Sequence, residues 1–183
     1  MAEITRFSLL FDPAEDRVAL DMLDDAGAVT RLWLTQRLCR GLTPVLTPLV
    51  AGESADASRQ SWAQAAAVEA MAGTPPVTPG AEATVGLVHE VTVAPATGRV
   101  GLTFRFGGRS LELGLSTIAL RQTLAELYRL HAAAGWPLDL WPAWIADPAR
   151  EAAAEGGVNE AGFRGSGTRK RAASCDAALL VGQ

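Results

Sequence analysis

Between Arg99 and Gly135 the chain changes its hydrophobic period once, from two residues to about 3.6, and that leaves few folds open. Val100, Leu102, Phe104 and Phe106 alternate with Gly101, Thr103 and Arg105. Leu111, Leu113 and Leu115 alternate with Glu112 and Gly114. Successive side chains of a strand point to opposite faces, so each run has one face to bury. Gly107-Gly108 joins the runs with two residues free to adopt positive φ, which a two-residue hairpin turn requires. Then Ile118, Leu120, Leu124, Leu127, Leu130 and His131 recur at helical spacing. Ser116 or Thr117 can cap this helix with a hydroxyl, and Gly135 and Pro137 end it. One helix of this length holds too few heptads for a coiled-coil seam. The stripe therefore reads as a face packed on its own sheet, with His131 near the C-terminus where partial positive charge is favoured.

The same grammar governs the chain upstream. Ile4–Phe11 places Phe7, Leu9 and Phe11 on one face. Arg17–Leu23 places Val18, Leu20 and Met22 inward, and Ala28–Leu34 sets Leu32 and Leu34 against Trp33. Asp12-Pro13-Ala14-Glu15-Asp16 and Asp24-Asp25-Ala26-Gly27 read as turns. Their carboxylates lack the spacing of a calcium loop, so no metal is expected there. Thr35 caps a helix over Gln36–Val50, and Gly41, Pro44 and Pro48 predict a break or kink near Thr43. Ala51–Ser61 reads as a polar connection. Ser61–Ala72 reads as an alanine-rich helix docking through Trp62, Ala65, Ala66 and Met71, and Thr74–Gly80 as a proline-stiffened linker. Thr84–Ala94 is a further strand whose alternation puts Val85, Leu87, His89, Val91 and Val93 on one face.

The order is βββ-αα-βββ-α. It predicts an α+β domain of antiparallel strand meanders, sandwich-like or a partial barrel, with helices covering one face or end. This domain takes residues 1–135, followed by a Trp- and Pro-rich segment over 136–150 and a disordered tail over 151–183, where Ala, Gly, Ser and Arg dominate. WLTQRLCRGLTPVL after the third strand echoes GLSTIALRQTLAEL after the sixth, as a duplicated unit or as two solutions of one packing problem.

Hydrophobic residues make up 49% of the chain, enough for a core, and a net charge of −4 gives no bulk attraction to nucleic acid or an anionic membrane. The start MAEITRFS does not read as a signal peptide and no apolar run is long enough to span a bilayer, so a cytoplasmic location and no membrane partner are expected. Cys39 reads as a small core residue and Cys175 lies in the polar tail, which argues against a disulfide or thiol-metal site. Phosphate-binding glycine loops, a nucleophile elbow and a zinc-protease helix are all missing, so neither cofactor nor catalytic residue is assigned.

The element order resembles the head-domain superfamily of the DNA end-joining ligase scaffold and the centriolar cartwheel protein. The corresponding residues are Arg6–Leu34, Gln36–Met71, Val85–Leu115 and Ile118–Ala134. The resemblance implies a strand meander, an inserted helix-turn-helix, further strands and a helix leading away into a parallel coiled coil. This chain has Gly135, Trp136 and Pro137 at that exit instead.

The functional expectation is a non-enzymatic protein-protein interaction or scaffold module that self-associates as a homodimer. One alternative is a nucleic-acid-associated accessory protein using sheet arginines and Arg169-Lys170-Arg171. The other is an enzyme of unfamiliar type, for which His89 would need a carboxylate partner in a closed pocket. The candidate partner-binding residues are Trp136, Trp141, Trp144 and Ile145, since Trp is favoured in interface hot spots. The segment has two possible seats: its own domain, or a second chain.

Overall fold

Two antiparallel meanders, each built on short turns, make up the sheet. In the computed structural model, which describes residues 3–51, 56–71, 75–146 and 178–180, the first comprises β1 (Ile4–Asp12), β2 (Arg17–Asp24) and β3 (Val29–Thr35). Its turns are organised by carboxylates, as Asp12 Oδ1 accepts from the Ala14 and Glu15 amides and Asp24 Oδ1 from those of Ala26 and Ala28. The second meander comprises β4 (Thr84–Ala96), β5 (Arg99–Phe106) and β6 (Arg109–Ser116). Gly107 and Gly108 have φ of 50° and 74°, as a two-residue hairpin requires.

The strand order is β6-β5-β4-β3-β2-β1. The fold is α+β as expected, with one feature that alternation does not encode: β3 and β4 pair in parallel, from Thr30–Thr84 to Trp33–Leu87. That junction follows from the helical crossover between them. It also gives both halves the same orientation, so that β3 and β6 each run straight into a helix. Of the tail, only Ala178–Leu180 is described, as a short strand β7 paired with β1; the expectation of disorder elsewhere lies outside the described residues.

The helix α3 (Thr117–Ala133) fills the concave side. Ser116 Oγ caps it by accepting from the Ala119 amide. Strands β1 and β6, at opposite sides of the two meanders, come within 8 Å Cα–Cα without pairing with each other, and α3 contacts both, so the sheet curls around the helix and stays open. Leu120, Leu124, Leu127 and Leu130 are buried with Phe7, Met22, Leu32 and Leu115. Ile118 is an exception to the helical stripe: it is exposed, and Ala119 takes the inward place. Leu124 is fully buried, so Leu124→Ala is expected to cost about 2–5 kcal/mol in urea unfolding, by loss of transfer energy plus a cavity. A loss of self-association at unchanged stability would instead support the coiled-coil reading.

Two helices bridge the meanders. The first, α1 (Gln36–Ala51), continues as one helix through Pro44 and Pro48, so of the break or kink expected near Thr43 the break does not occur. Both prolines, with Arg37, Gly41 and Val45, lie on the exposed side, where carbonyls left without an amide donor can be hydrated. Cys39, Leu42, Leu46 and Val50 face the core, and burial pushes the Cys39 thiol up to about 12. The second, α2 (Ala57–Glu69), starts earlier than alternation of character suggests, because Asp56 caps it through the Ser58 and Arg59 amides.

Its docking face is also corrected. Trp62 is 65% exposed, while Gln60, Ser61, Gln64 and Ala67 are buried. The reason lies on α3, where Arg121 is buried opposite them. Arg121 Nη2 donates to the Val50 carbonyl at 2.9 Å and to Gln60 Oε1. Gln64 Nε2 donates to the Arg121 carbonyl at 2.9 Å, and Gln60 Nε2 to the Ala51 carbonyl at 2.9 Å. A guanidinium thus caps the C-terminal end of α1, where the helix dipole is negative. Its burial lowers the Arg121 pKa by desolvation.

The proline segment is part of the domain rather than a free linker. Val77 is buried, its amide donates to Ser8 Oγ at 3.1 Å, and its carbonyl accepts from that hydroxyl at 3.4 Å. The strap thereby covers the face of the sheet that carries Ser8 and Asp21, the latter paired twice with Arg31 at 2.7 Å. Among the described residues no helix is long and apolar enough to cross a membrane.

Candidate docking groove between a helix and a free strand edge

β4 is thirteen residues long, yet β3 pairs only with Thr84–Leu87. From Val88 to Ala96 the strand pairs with β5 on one side and, among the described residues, with no strand on the other. The chain leaves the sheet at Thr35 to enter α1, so the helix, not a strand, flanks this edge. Between them lies a groove of about 800 Å³, lined on the helix side by Arg37, Leu38, Gly41, Leu42 and Val45. Val88, His89, Val91 and Val93 form the strand side. The lining is mainly apolar, and Val45 is 47% exposed, a β-branched side chain left in solvent.

A bulge sets what the strand presents. Val88 pairs with Phe106 and Glu90 with Arg105, so His89 is the extra residue. It reverses the parity of the strand: before it the inward positions are Gly86 and Val88, after it Val91 and Val93. A Cβ at Gly86 would lie 2.3 Å from Phe106 Cδ2, which shows that position turned into the core. The expected common face of Val85, Leu87, His89, Val91 and Val93 is therefore split. Val85 and Leu87 are exposed on the outer face, across from Arg31 and Trp33, while Val91 and Val93 pair with inward Phe104 and Leu102.

At His89 the groove meets a second depression of about 300 Å³, lined also by Arg105, Gly108, Arg109 and Ser110. No carboxylate lines either hollow. Glu90 stands nearby, 3.5 Å from Arg105, with both side chains more than half exposed, and such a pair contributes little. Both hollows are open to solvent, and neither places a carboxylate beside His89, the arrangement that acid–base chemistry would use.

The four candidate residues of the Trp segment sit elsewhere. Trp136, Trp141 and Ile145 are buried and Trp144 is partly buried, all against their own domain. Trp136 packs edge-on to Phe11 and His131, with centroids 5.5 and 5.1 Å away, and its indole donates to Asp16 Oδ1 at 3.1 Å. Trp141 packs on Tyr128 and His131, and Trp144 lies 5.5 Å from the Arg121 guanidinium. A bidentate Arg40–Asp139 pair, at 2.6 and 2.7 Å, ties the segment to α1. Within the single chain the segment thus packs against its own domain.

The two indoles enclose His131, which is fully buried with Nδ1 2.7 Å from the Leu127 carbonyl and Nε2 without a partner among the described residues. Burial lowers its pKa against the raising effect of that carbonyl, and the charge of Arg40 adds to the lowering. Burial thus outweighs the helix C-terminus. Below about pH 6.5 the unfolded chain takes up a proton here that the folded chain does not. Stability should therefore fall with pH from there down to the depressed folded pKa, by at most about 1.4 kcal/mol per pH unit from this group. Urea titrations of His131→Asn between pH 7 and 5 should show a flatter acid limb; an unchanged slope would clear His131 of the effect.

The sequence pattern assigns these residues to a helix and a strand, but nothing in it shows that they face one another across a groove. Helical spacing sets Val45 on one face with Leu38, Leu42, Leu46 and Leu49, yet the structure leaves Val45 exposed, and nothing local announces a bulge at His89. No protein-family model, curated protein or solved structure matches the chain.

Proposed function

We propose that the protein is a non-enzymatic interaction module that holds a protein partner in the groove between α1 and β4. The observation that supports this is the coincidence of an open apolar groove with an unpaired length of strand. An exposed edge is a standing template for another chain, and proteins ordinarily cover or blunt it. Here apolar side chains stand beside it on Leu38, Val45, Val91 and Val93. The Trp segment serves the site indirectly, by fixing α1 through Arg40 and Asp139.

Val45→Glu tests the reading, because the residue is exposed and its replacement should spare the fold. Proteins retained by the wild-type chain and not by the variant would be made recombinantly and titrated by calorimetry. At least a tenfold loss of affinity in Val45→Glu is expected. Partners that bind both forms equally would place the interface elsewhere. Retention of nucleic acid with steeply salt-dependent affinity would favour the accessory-protein reading instead. Sedimentation of both forms shows whether a second copy is the partner.

A further inference from the structure

We infer that the groove takes an extended peptide carrying an acidic residue, which adds to the free edge of β4 as a strand. The inference rests on the groove being the binding site and states what occupies it and how.

The backbone argument comes first. Strand addition needs amides and carbonyls that no neighbour uses, and β4 offers them beyond Leu87, where its pairing with β3 ends. The His89 bulge limits this edge at one end and Pro95, which has no amide hydrogen, at the other. The usable edge is thus Glu90 to Ala94, a length of about 17 Å at the rise of a strand. That fits a peptide of about five residues in register.

Side chains then set a pattern. Val91 and Val93 turn towards the groove and Glu90 and Thr92 turn away, so a paired peptide places alternate residues in the same two directions. Its inward residues face Leu38, Leu42 and Val45, which calls for apolar side chains two apart. Gly41 widens the opposite wall, since a Cβ there would meet nothing within 4 Å.

Charge supplies the remaining requirement. Arg37 stands on the helix wall, and Arg105 and Arg109 on the depression that continues the groove past His89. Among the described residues Arg37 and Arg109 have no ion-pair partner, and Arg105 has only the solvent-exposed Glu90 contact. On a chain of net charge −4 this is a local excess of positive charge beside apolar walls. It suits an Asp, a Glu or a terminal carboxylate at the end of the peptide near His89. A nucleic acid would meet the same arginines, but apolar walls and a strand-length edge give it nothing to pair with.

The test begins by selecting a displayed library of random heptapeptides on the full chain. The expected sequences carry two apolar residues at i and i+2 and an acid towards one end. The strongest peptide is synthesised, labelled and titrated by fluorescence anisotropy against wild type, Val45→Glu, Arg37→Ala and Arg109→Ala. Two further versions are N-methylated at alternate backbone positions, one in each phase. Strand addition predicts that one phase loses binding at least tenfold while the other keeps it, because only every second peptide amide faces β4. At least one arginine variant should weaken binding several-fold, with the loss shrinking as salt is raised. If no selected peptide depends on Val45, the groove reading itself falls. If binding depends on Val45 but both methylated versions bind alike, the groove stands and strand addition is wrong. Selection of peptides without an acid, indifferent to both arginine variants, would overturn the charge requirement.

Discussion

Replacing Trp141 and Trp144 together by alanine should lower the unfolding free energy by about 3–5 kcal/mol or more, with no change of mass in light scattering. Trp141 is buried between Tyr128 and His131 with ring centroids 5.6 and 5.2 Å away, and both contacts are edge-to-face. Trp144 adds its ring face to the Arg121 guanidinium. Truncation leaves a cavity beside α3 and strips the cover from His131. Thermal or urea unfolding measures the first quantity and light scattering the second. A drop in mass at unchanged stability would mean that the segment works between chains despite its seat in the domain.

Arg121→Met is expected to cost about 2–4 kcal/mol, although it removes a buried charge and keeps much of the apolar stem. Replacing a whole buried ionic group by apolar residues is often neutral, because the desolvation penalty disappears with the charge. The situation here differs. The partners are the Val50 carbonyl and the amides of Gln60 and Gln64, which remain buried after the substitution. Each buried polar group left without its bond costs about 1–3 kcal/mol. Amide exchange in the last turn of α1 should accelerate as well, since its carbonyls lose their cap. A change within 0.5 kcal/mol, about the scatter of a surface substitution, would show that the glutamines re-pair with each other and that Arg121 is dispensable.

What the amino-acid order alone determined is local. Gly107-Gly108, the aspartates at 12 and 24, and the hydroxyl before α3 act on residues within four positions, so their effects are readable from neighbours. Alternation identified the strands and their buried sides for the same reason, as did the leucine spacing of α3. The parallel junction of β3 with β4 was decided by the crossover between them, and the bulge at His89 by the register of β5. Neither leaves a mark in hydropathy, and the bulge reversed the faces assigned to half of β4. Apolar spacing pointed α2 inward through Trp62, whereas its polar face docks because Arg121, 61 residues from Gln60, stands against it. Val77 looks like linker in the sequence because its partner, Ser8, is 69 residues away. The groove depends on such remote contacts, since α1 is placed by Arg121 and Asp139 and the free edge of β4 begins where its pairing with β3 ends. Its walls are ordinary helix and strand residues. Only their separation in space, set by contacts remote in sequence, leaves them uncovered.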